Sequence, residues 1–416
     1  MVTDTIIKKG YKQTELGIIP EDWELKKLGD IGESIIGLTY SPREVANYGK
    51  LVHRSSNIQN NQLSYLDNVY VDKVVNEKLI LMENDILICV RNGSRNLIGK
   101  SALIKGKAVG ETFGAFMSVF RSDKCQPYIF HLIISNLIQR QINQSLGATI
   151  NQITNKTLND FQIPYPSKIE EQTAISTALS DTDALIEHLE KLIAKKKAIK
   201  QGTMQQLLTG KKRLPGFSGE WEVKKLGEVC ELKNGYSFKS STYNEAGEYK
   251  IITIANVQDG YMVSSGTNNI VDLPLDIQEH QKLKMGDILI SMTGNVGRVC
   301  FVNNKYSLLN QRVGKLVISK INKMFFFYVC NSRLFINSMI LKAQGGAQGN
   351  IGKNDILGYE VEIPKQIEEQ IAIAAILSDM DAEIESLEQK RDKYTMLKQG
   401  MMQQLLTGKI RIYANN

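Results

Sequence analysis

Two long stretches of the chain carry apolar residues at alternating intervals of four and three, the heptad spacing of a coiled-coil seam. They cover residues 168–209 and 366–407. Prolines stand just before each stretch, where a helix cannot yet run, and Gly210 and Gly408 follow as natural C-caps. Each predicted helix has about 40 residues, or roughly 60 Å. The side chains predicted to pair the two helices are Ile175, Leu179, Ile186, Leu189, Ile373, Leu377, Ile384 and Leu387.

Three seam positions are polar, at Thr182, Lys196 and Arg391. A polar residue in a coiled-coil core can fix the register of the helices, but it can also mark a solvated end of the seam. The sequence leaves both interpretations open.

The other segments alternate short β-rich runs with glycine and asparagine turns, at residues 85–90, 249–255, 287–292 and 314–319. One shorter helix is predicted near residues 127–144, and a counterpart near 323–342. This mixture indicates an α+β class, with globular parts built on a curved or partly closed antiparallel sheet.

The sequence contains an internal duplication. Residues 200–211 and 398–409 agree at 11 of 12 positions, and residues 169–190 and 367–388 at 15 of 22, in both cases at an offset of 198. The segments 23–29 and 221–227, both Trp-Glu-x-Lys-Lys-Leu-Gly, match at the same offset. The period is far too long for a solenoid and implies two copies of a domain-plus-helix unit.

Between the matched blocks, residues 31–150 and 229–348 share little beyond a pattern. We therefore predict a first globular domain at 1–165, a long helix at 166–211, a second globular domain at 212–363, and a second helix with a tail at 364–416. Pseudo-twofold symmetry predicts an intrachain antiparallel coiled coil with one globular domain at each end. Two dissimilar domains on closely similar helices suggest that the two domains recognise two different targets.

Charge and cysteine content point to a cytoplasmic protein with a mild preference for polyanions. The formal net charge is +7, and 42% of the residues are hydrophobic. The five cysteines include no CxxC pair, so we expect free thiols rather than disulfides or zinc. The N-terminus has no apolar signal segment, and the apolar runs are too short to span a bilayer, so no membrane association is expected.

The sequence does not match the motifs of the enzyme classes that act on nucleotides or DNA. Gly99-Lys100-Ser101 resembles the end of a phosphate-binding loop, but Ser94 stands where that loop needs glycine. The chain shows no glycine-rich methyltransferase loop and no Asn/Asp-Pro-Pro-aromatic tetrapeptide. Asp85 and Asp287 lack the neighbouring acid and lysine of a nuclease and are predicted to cap turns. The four histidines show no metal spacing. We expect no metal, no cofactor and no catalytic residue.

Loops rich in arginine, asparagine and glycine follow two matched strands, at residues 91–95 and 293–298. Arginine and asparagine read base edges through paired hydrogen bonds, and lysine holds phosphates. For any one residue, a solvated turn explains the composition equally well. The glycine-rich residues 345–350 suit either a backbone approach to phosphate or a hinge. The candidate DNA-binding residues are Arg43, Arg54, Arg91, Asn92, Arg95, Lys100, Lys239, Asn295, Arg298 and Arg312.

The matched blocks resemble a known family. The segments 14–29 and 214–227, and twice Ile-Glu-Glu-Gln followed by a helix that ends in Gln-Gln-Leu-Leu-Thr-Gly-Lys, look like the domain entrances and constant regions of Type I restriction–modification specificity subunits. The resemblance covers the whole chain, and the doubled pattern makes it specific.

This resemblance implies more than the residues themselves do. Each globular part would be a target recognition domain that reads one half of a split, asymmetric site in double-stranded DNA, and the helices would fix the gap. Modification subunits, two of them, would supply adenine methylation from S-adenosylmethionine. Restriction subunits would add ATP-driven translocation and cleavage. The chain itself would be non-catalytic, and the resemblance transfers no list of base-reading residues.

Two other functions stay open on the residues alone. One is a self-contained DNA methyltransferase or nuclease with a disguised site, which S-adenosylmethionine or ATP binding by the isolated chain would support. The other is a coiled-coil adaptor whose end domains bind proteins, which failure to bind any duplex at any salt concentration would support.

Overall fold

The computed structural model describes residues 7–124, 126–147, 151–344 and 349–412. The chain divides into two compact units. Unit 1 contains Met1–Leu189 and Lys390–Asn416, and unit 2 contains Glu190–Gln389. The division falls inside both long helices, Ile169–Leu207 and Ile367–Leu405, so each unit includes a portion of both. Both helices lie within the predicted stretches.

Unit 1 combines short strands with three short helices, Gln126–Ile133, Asn136–Ser145 and Asn155–Asp160. Its strands are Tyr11–Thr14, Gly17–Pro20, Trp23–Lys27, Glu33–Ile36, Val45–Ala46, Lys50–His53, Ile58–Gln59, Gln62–Leu63, Tyr70–Val71, Ile86–Cys89, Ser101–Leu103, Thr112–Phe113, Met117–Arg121 and Gln162–Pro166.

Unit 2 repeats this arrangement with helices Leu226–Val229, Lys323–Cys330, Arg333–Gln344 and Lys353–Leu357. Its strands are Trp221–Lys225, Cys230–Asn234, Tyr249–Ile252, Asn268–Ile270, Lys282–Leu283, Ile288–Ser291, Val299–Phe301, Ser307–Leu309, Val313–Ile318 and Glu360–Pro364.

Within the described residues, each unit holds two four-stranded sheets; unit 1 adds three two-stranded ribbons and unit 2 adds one. The first sheet is antiparallel, as predicted, and Ile86–Cys89 pairs there with Met117–Arg121, as Ile288–Ser291 does with Val313–Ile318. The second sheet corrects the prediction because it contains a parallel pair. In unit 2, for example, Tyr249–Ile252 runs parallel to Ser307–Leu309. Such pairs need a long crossover, which an alternation pattern does not reveal.

The prediction of one shorter helix in each domain is also wrong, because each is broken into two. In unit 1 the break falls at Ser135, whose backbone is extended and whose hydroxyl donates to the Leu132 carbonyl. In unit 2 it falls at Asn331, whose side-chain amide donates to the Phe327 carbonyl, and the two helices meet at 53°. Both side chains compete with the helical backbone for its carbonyls, which ends the first helix.

The two long helices run antiparallel within each unit. In unit 1, Asp183 pairs with Lys398. In unit 2, Lys196 pairs with Glu383 at 2.6 Å, while Lys200 pairs with Asp381. This agrees with the predicted intrachain coiled coil. The C-cap prediction is also confirmed, since Gly210 and Gly408 have φ angles of +64° and +66°, which favour glycine.

The residues predicted to pair the helices are mostly buried, and some also contact the globular parts. Ile175 and Leu179 belong to the apolar core of unit 1, and Ile373 and Leu377 to that of unit 2. Leu189 and Ile384 are buried, whereas Ile186 and Leu387 are half-buried.

A buried carboxylate begins each long helix and is neutralised by an arginine that follows the other helix. In unit 1, Arg411 contacts both oxygens of Glu171, at 2.5 and 2.8 Å, and Trp23 donates to the same carboxylate at 3.1 Å. In unit 2, Arg213 holds Glu369 with two bonds of 2.7 Å. The arginines also lie 5.7 Å from the rings of Trp23 and Trp221. We call each arrangement a clasp.

None of the single helices among the described residues combines the length and apolarity needed to cross a bilayer.

The clasps make a prediction about stability. Arg411→Ala leaves the Glu171 side chain, 1% exposed, without its counter-charge and should cost about 3–5 kcal/mol of unfolding free energy. Arg213→Ala should behave alike in unit 2. Lys27→Ala, which breaks the half-exposed pair with Asp160, is the control and should leave the unfolding free energy nearly unchanged. Urea unfolding can be followed by tryptophan fluorescence, because each of the two tryptophans lies at one clasp. Equal losses for Arg411→Ala and Lys27→Ala would contradict this account.

His53 makes a prediction about pH. The His53 ring is fully buried, and burial lowers its pKa from 6.5 to about 4 because it disfavours the charged form. As pH falls from 6.5 to 4, the unfolded chain takes up a proton that the folded chain refuses, so stability falls by up to about 3 kcal/mol. His53→Ile, which installs the residue of the matched position 252, should flatten this loss. Ile252→Val should change stability without changing its pH slope. A His53→Ile variant with the parent's acid slope would refute the prediction.

Candidate nucleic-acid interface

A tightly packed loop lies beside the end of the antiparallel sheet in each unit. In unit 1 it is residues 114–116, and a Cβ at Gly37 would lie 2.2 Å from the Gly114 carbonyl oxygen. In unit 2 it is residues 310–312, and a Cβ at Gly235 would lie 2.1 Å from the Asn310 carbonyl oxygen. Only glycine permits this approach, so the same backbone contact fixes both loops.

A second loop in each unit turns around a buried asparagine. The Asn57 side chain accepts from the Arg54 backbone and donates to the carbonyls of Ser64 and Asp67. In unit 2, Asn256 accepts from Thr253 and donates to Val263. The two asparagines therefore hold equivalent turns, at residues 54–64 and 253–263.

Several predicted residues of unit 1 come together around Ser55. Asn92 donates to its hydroxyl at 3.1 Å, and Lys100 donates to its carbonyl at 3.4 Å. Arg54, the preceding residue, forms an ion pair with Asp67 at 2.8 Å. Thus two loops far apart in sequence form one polar surface.

Arg91 and Arg95 lie on the same loop as Asn92. Arg91 is exposed and its guanidinium lies 5.1 Å from the centre of the Phe116 ring, on the neighbouring loop. Arg95 is exposed and donates to the Asn143 carbonyl. The contacts of the described residues do not join Arg43 to this cluster. It is exposed on a short 3-10 turn, Pro42–Glu44.

Unit 2 places its predicted residues in equivalent loops. Arg298 donates to Gln258 at 2.6 Å and pairs with Asp259 at 3.4 Å. Asn295 and Arg312 are exposed, and the Arg312 carbonyl accepts from the Met292 backbone. Lys239 is exposed before a 3-10 turn, as Arg43 is within one in unit 1. Of the glycine-rich residues 345–350, positions 345–348 lie outside the described residues.

The two matched aspartates cap turns, as predicted. Asp85 accepts from the Met82 backbone at 2.8 Å and Asp287 from the Lys284 backbone at 2.7 Å. Each also binds a basic residue of the neighbouring strand, Arg121 in unit 1 and Lys315 in unit 2. Ser101 is buried in a strand, and its hydroxyl donates to the Gly99 carbonyl. The side chains of Asp85, Asp287 and Ser101 are therefore engaged in hydrogen bonds or ion pairs within the fold.

Sequence reasoning missed the buried asparagines and Phe116. Asn57 and Asn256 occur in loops without other similarity, at an offset of 199 rather than 198. A comparison that allowed the spacing to drift by one residue could have found them. Phe116 has no such signal, because its neighbour Arg91 is 25 residues away in sequence (116 − 91).

Comparison with known proteins agrees with the resemblance drawn from the sequence. The family model of the Type I restriction modification DNA specificity domain matches residues 20–201 and again 218–394. The two matches cover most of both units and repeat the internal duplication.

Curated relatives match over nearly the full length. The putative type I restriction enzyme MjaX specificity subunit of Methanocaldococcus jannaschii is 29% identical, over 97% of either chain. The type I restriction enzyme EcoKI specificity subunit of Escherichia coli is 27% identical, over 90% of this chain and 85% of that protein.

Solved structures share the fold. The S subunit of a Type I restriction–modification system from M. genitalium matches with a TM-score of 0.59 and 16% identity, over 92% of this chain and 96% of that one. A chain from a study of complex assembly in the type I R-M system matches with a TM-score of 0.56 and 18% identity, over 94% and 99%. Because the doubled family match, the relatives and the fold agree, the chain belongs to the Type I restriction–modification DNA specificity family.

Proposed function

We propose that this chain selects the DNA sites of a Type I restriction–modification enzyme and reads one half of a split site with each unit. The observation that carries the proposal is that both units hold their exposed loops on the same backbone framework, while the side chains on those loops differ. A repeated framework with different surfaces suits the reading of two different sequences. The full-length relatives are named specificity subunits of such enzymes.

The recognition domains are proposed at residues 1–165 and 212–363, and the helical segments at 166–211 and 364–416. A strand pairing supports each boundary. Gln162–Pro166 pairs with Trp23–Lys27, and Glu360–Pro364 pairs with Trp221–Lys225, so the last strand of each proposed domain lies beside an early strand of the same domain. Each long helix starts within three residues of that final strand.

The ten predicted residues are proposed to divide between phosphate contacts and base reading. Lys100 and Arg298, which lie at equivalent positions beside the buried-asparagine turns, are basic in both units and suit phosphate. Asn92 and Asn295 lie on the loops that follow equivalent strands and suit base edges. Arg91 and Arg312 are exposed on the same or neighbouring loops and suit base edges as well. Arg43, Arg54 and Arg95 in unit 1 and Lys239 in unit 2 are proposed to add phosphate contacts within their own units.

Methylation and cleavage are proposed to belong to modification and restriction subunits, with this chain non-catalytic. Two modification subunits suit the duplication, because each unit has a groove beside the end of one long helix. Unit 2 lines it with Gln201, Met204, Gln205, Thr209 and Lys211. Unit 1 lines its own with the matched Gln399, Met402, Gln403, Thr407 and Lys409. Two copies of one surface can receive two copies of one partner. The cytoplasm is the proposed location, since DNA and these partners meet there.

The test is to co-express the chain with its modification subunit in a host that lacks adenine methylation and to sequence the methylated adenines. We expect one split motif with a fixed gap. A host expressing the modification subunit alone is the control and should stay unmarked. Absence of any new mark, although the folded chain and the modification subunit co-purify, would overturn the proposal and favour the adaptor interpretation.

A further inference from the structure

The loops 114–116 and 310–312 are held by the same five backbone hydrogen bonds. In unit 1 the backbone N–H groups donate to backbone carbonyls as follows: Leu38 to Phe113, Ala115 to Leu38, Met117 to Gly114, Gly114 to His53, and Val90 to Phe116. In unit 2 they are Tyr236 to Leu309, Gln311 to Tyr236, Val313 to Asn310, Asn310 to Ile252, and Met292 to Arg312. Position 116 of unit 1 therefore corresponds to position 312 of unit 2.

The neighbouring loop corresponds in the same way. Arg91 bridges to Gln152 just as Thr293 bridges to Asn350, and the residues before them bond to the loops just described. Position 91 thus corresponds to position 293. At this place unit 1 carries Arg91 and Phe116, whereas unit 2 carries Thr293 and Arg312. Each unit presents one exposed arginine there, but from opposite loops.

Phe116 presents an aromatic side chain at the surface from a loop whose backbone is held by several hydrogen bonds. Single exposed apolar residues are ordinary on protein surfaces. Phe116, however, is 57% exposed on a loop that bonds to three other segments, so the backbone does not fold it inward. The loop keeps the ring at the surface against the hydrophobic effect, which favours its burial.

Arg91 lies on that ring. The guanidinium is 5.1 Å from the ring centre, a cation–π distance that restricts the rotamers of the arginine. A guanidinium fixed in this way presents its N–H fork in one direction, as bidentate recognition of guanine requires. The exposed part of the ring adds an apolar surface that suits the 5-methyl group of thymine. In unit 2, Arg312 has no aromatic partner at the matched position, where Thr293 offers a hydroxyl and a methyl group.

Nearby matched positions behave differently. Positions 100 and 298 are both basic. Positions 57 and 256 are both asparagine, and each accepts from the backbone N–H three residues earlier and donates to the carbonyl seven residues later. A residue type that both units share suits phosphate contact or loop geometry, which any DNA sequence needs. A pair that changes while its backbone stays constant suits the reading of different bases.

We infer that the pair at positions 91 and 116 in unit 1, and the matched pair 293 and 312 in unit 2, are specificity-determining contacts of the two recognition domains. The inference rests on the proposed function and goes beyond it. It assigns base reading to two particular positions in each domain and adds Phe116 and Thr293 to the candidate base-reading residues.

The test exchanges the pairs. Arg91→Thr with Phe116→Arg installs the unit 2 pair in unit 1, and Thr293→Arg with Arg312→Phe does the reverse. Each double variant is co-expressed with the modification subunit, and methylated adenines are sequenced. The first exchange should change one half of the split motif, the second should change the other half, and both should keep the gap.

A matched control makes the same kinds of change elsewhere in unit 1. Lys107→Thr with Val109→Arg alters two exposed residues, keeps the net charge, and should leave the whole motif unchanged. The single variant Arg91→Lys keeps the positive charge but loses the paired N–H donors of the guanidinium. It should lower discrimination at one base pair by roughly 10- to 100-fold, with the other half of the motif read as before.

The outcomes separate this inference from the proposed function. If the parent chain directs no methylation, the proposed function fails, and this inference fails with it. If the parent directs a split motif and both exchanged variants direct the same motif, only the inference is overturned.

An exchanged variant that directs no mark is assembled with its modification subunit and used to select from duplexes with one randomised half-site. Enrichment of the original half overturns the inference. A new half, or loss of preference in that half while the other is still selected, supports it.

Discussion

A buried carboxylate at the start of each long helix must be neutralised, and the group that neutralises it comes from beyond the end of the other long helix. An uncompensated charge at a site that is 1–2% exposed would cost several kcal/mol, so the arginine strongly stabilises the folded state. In unit 1 this requirement brings residues 171 and 411 together, and in unit 2 residues 213 and 369. Antiparallel helices follow in both cases, because the end of one must meet the beginning of the other.

The clasps also anchor the globular parts. Trp23 begins the strand Trp23–Lys27 of unit 1, is fully buried, and donates to the clasped Glu171. This strand pairs with the strand that leads into the long helix, so the strand pair, the helix start and the arginine are joined at one place. The exposed loops therefore stand on a base whose geometry is fixed at the helix. This rigidity suits a protein whose loops must meet DNA in one register.

The loops separate what must stay constant from what can vary. Gly37 and Gly235 allow a backbone approach that no other residue permits, and Asn57 and Asn256 replace missing backbone partners with their own amides. These contacts use backbone and small side chains, so they place no demand on the residues at the loop tips. The tips therefore differ, as Phe116 and Arg312 do, while the backbone contacts stay the same. Recognition of two different half-sites by two copies of one domain needs this independence.

The sequence by itself determined the duplication, both long helices with their caps, the α+β class, the turn-capping aspartates and the family. Each rests on local spacing or on blocks that match at one offset, and such signals survive in a linear chain. The clasps, the parallel strand pairs, the broken helices and the meeting of Arg91 with Phe116 were decided only by the tertiary structure. They join residues that are far apart in sequence, as 37 is from 114 and 171 from 411, and their energies come from burial and close approach. No periodicity records which distant side chains will share a buried space, so those contacts could not be predicted before the chain was folded.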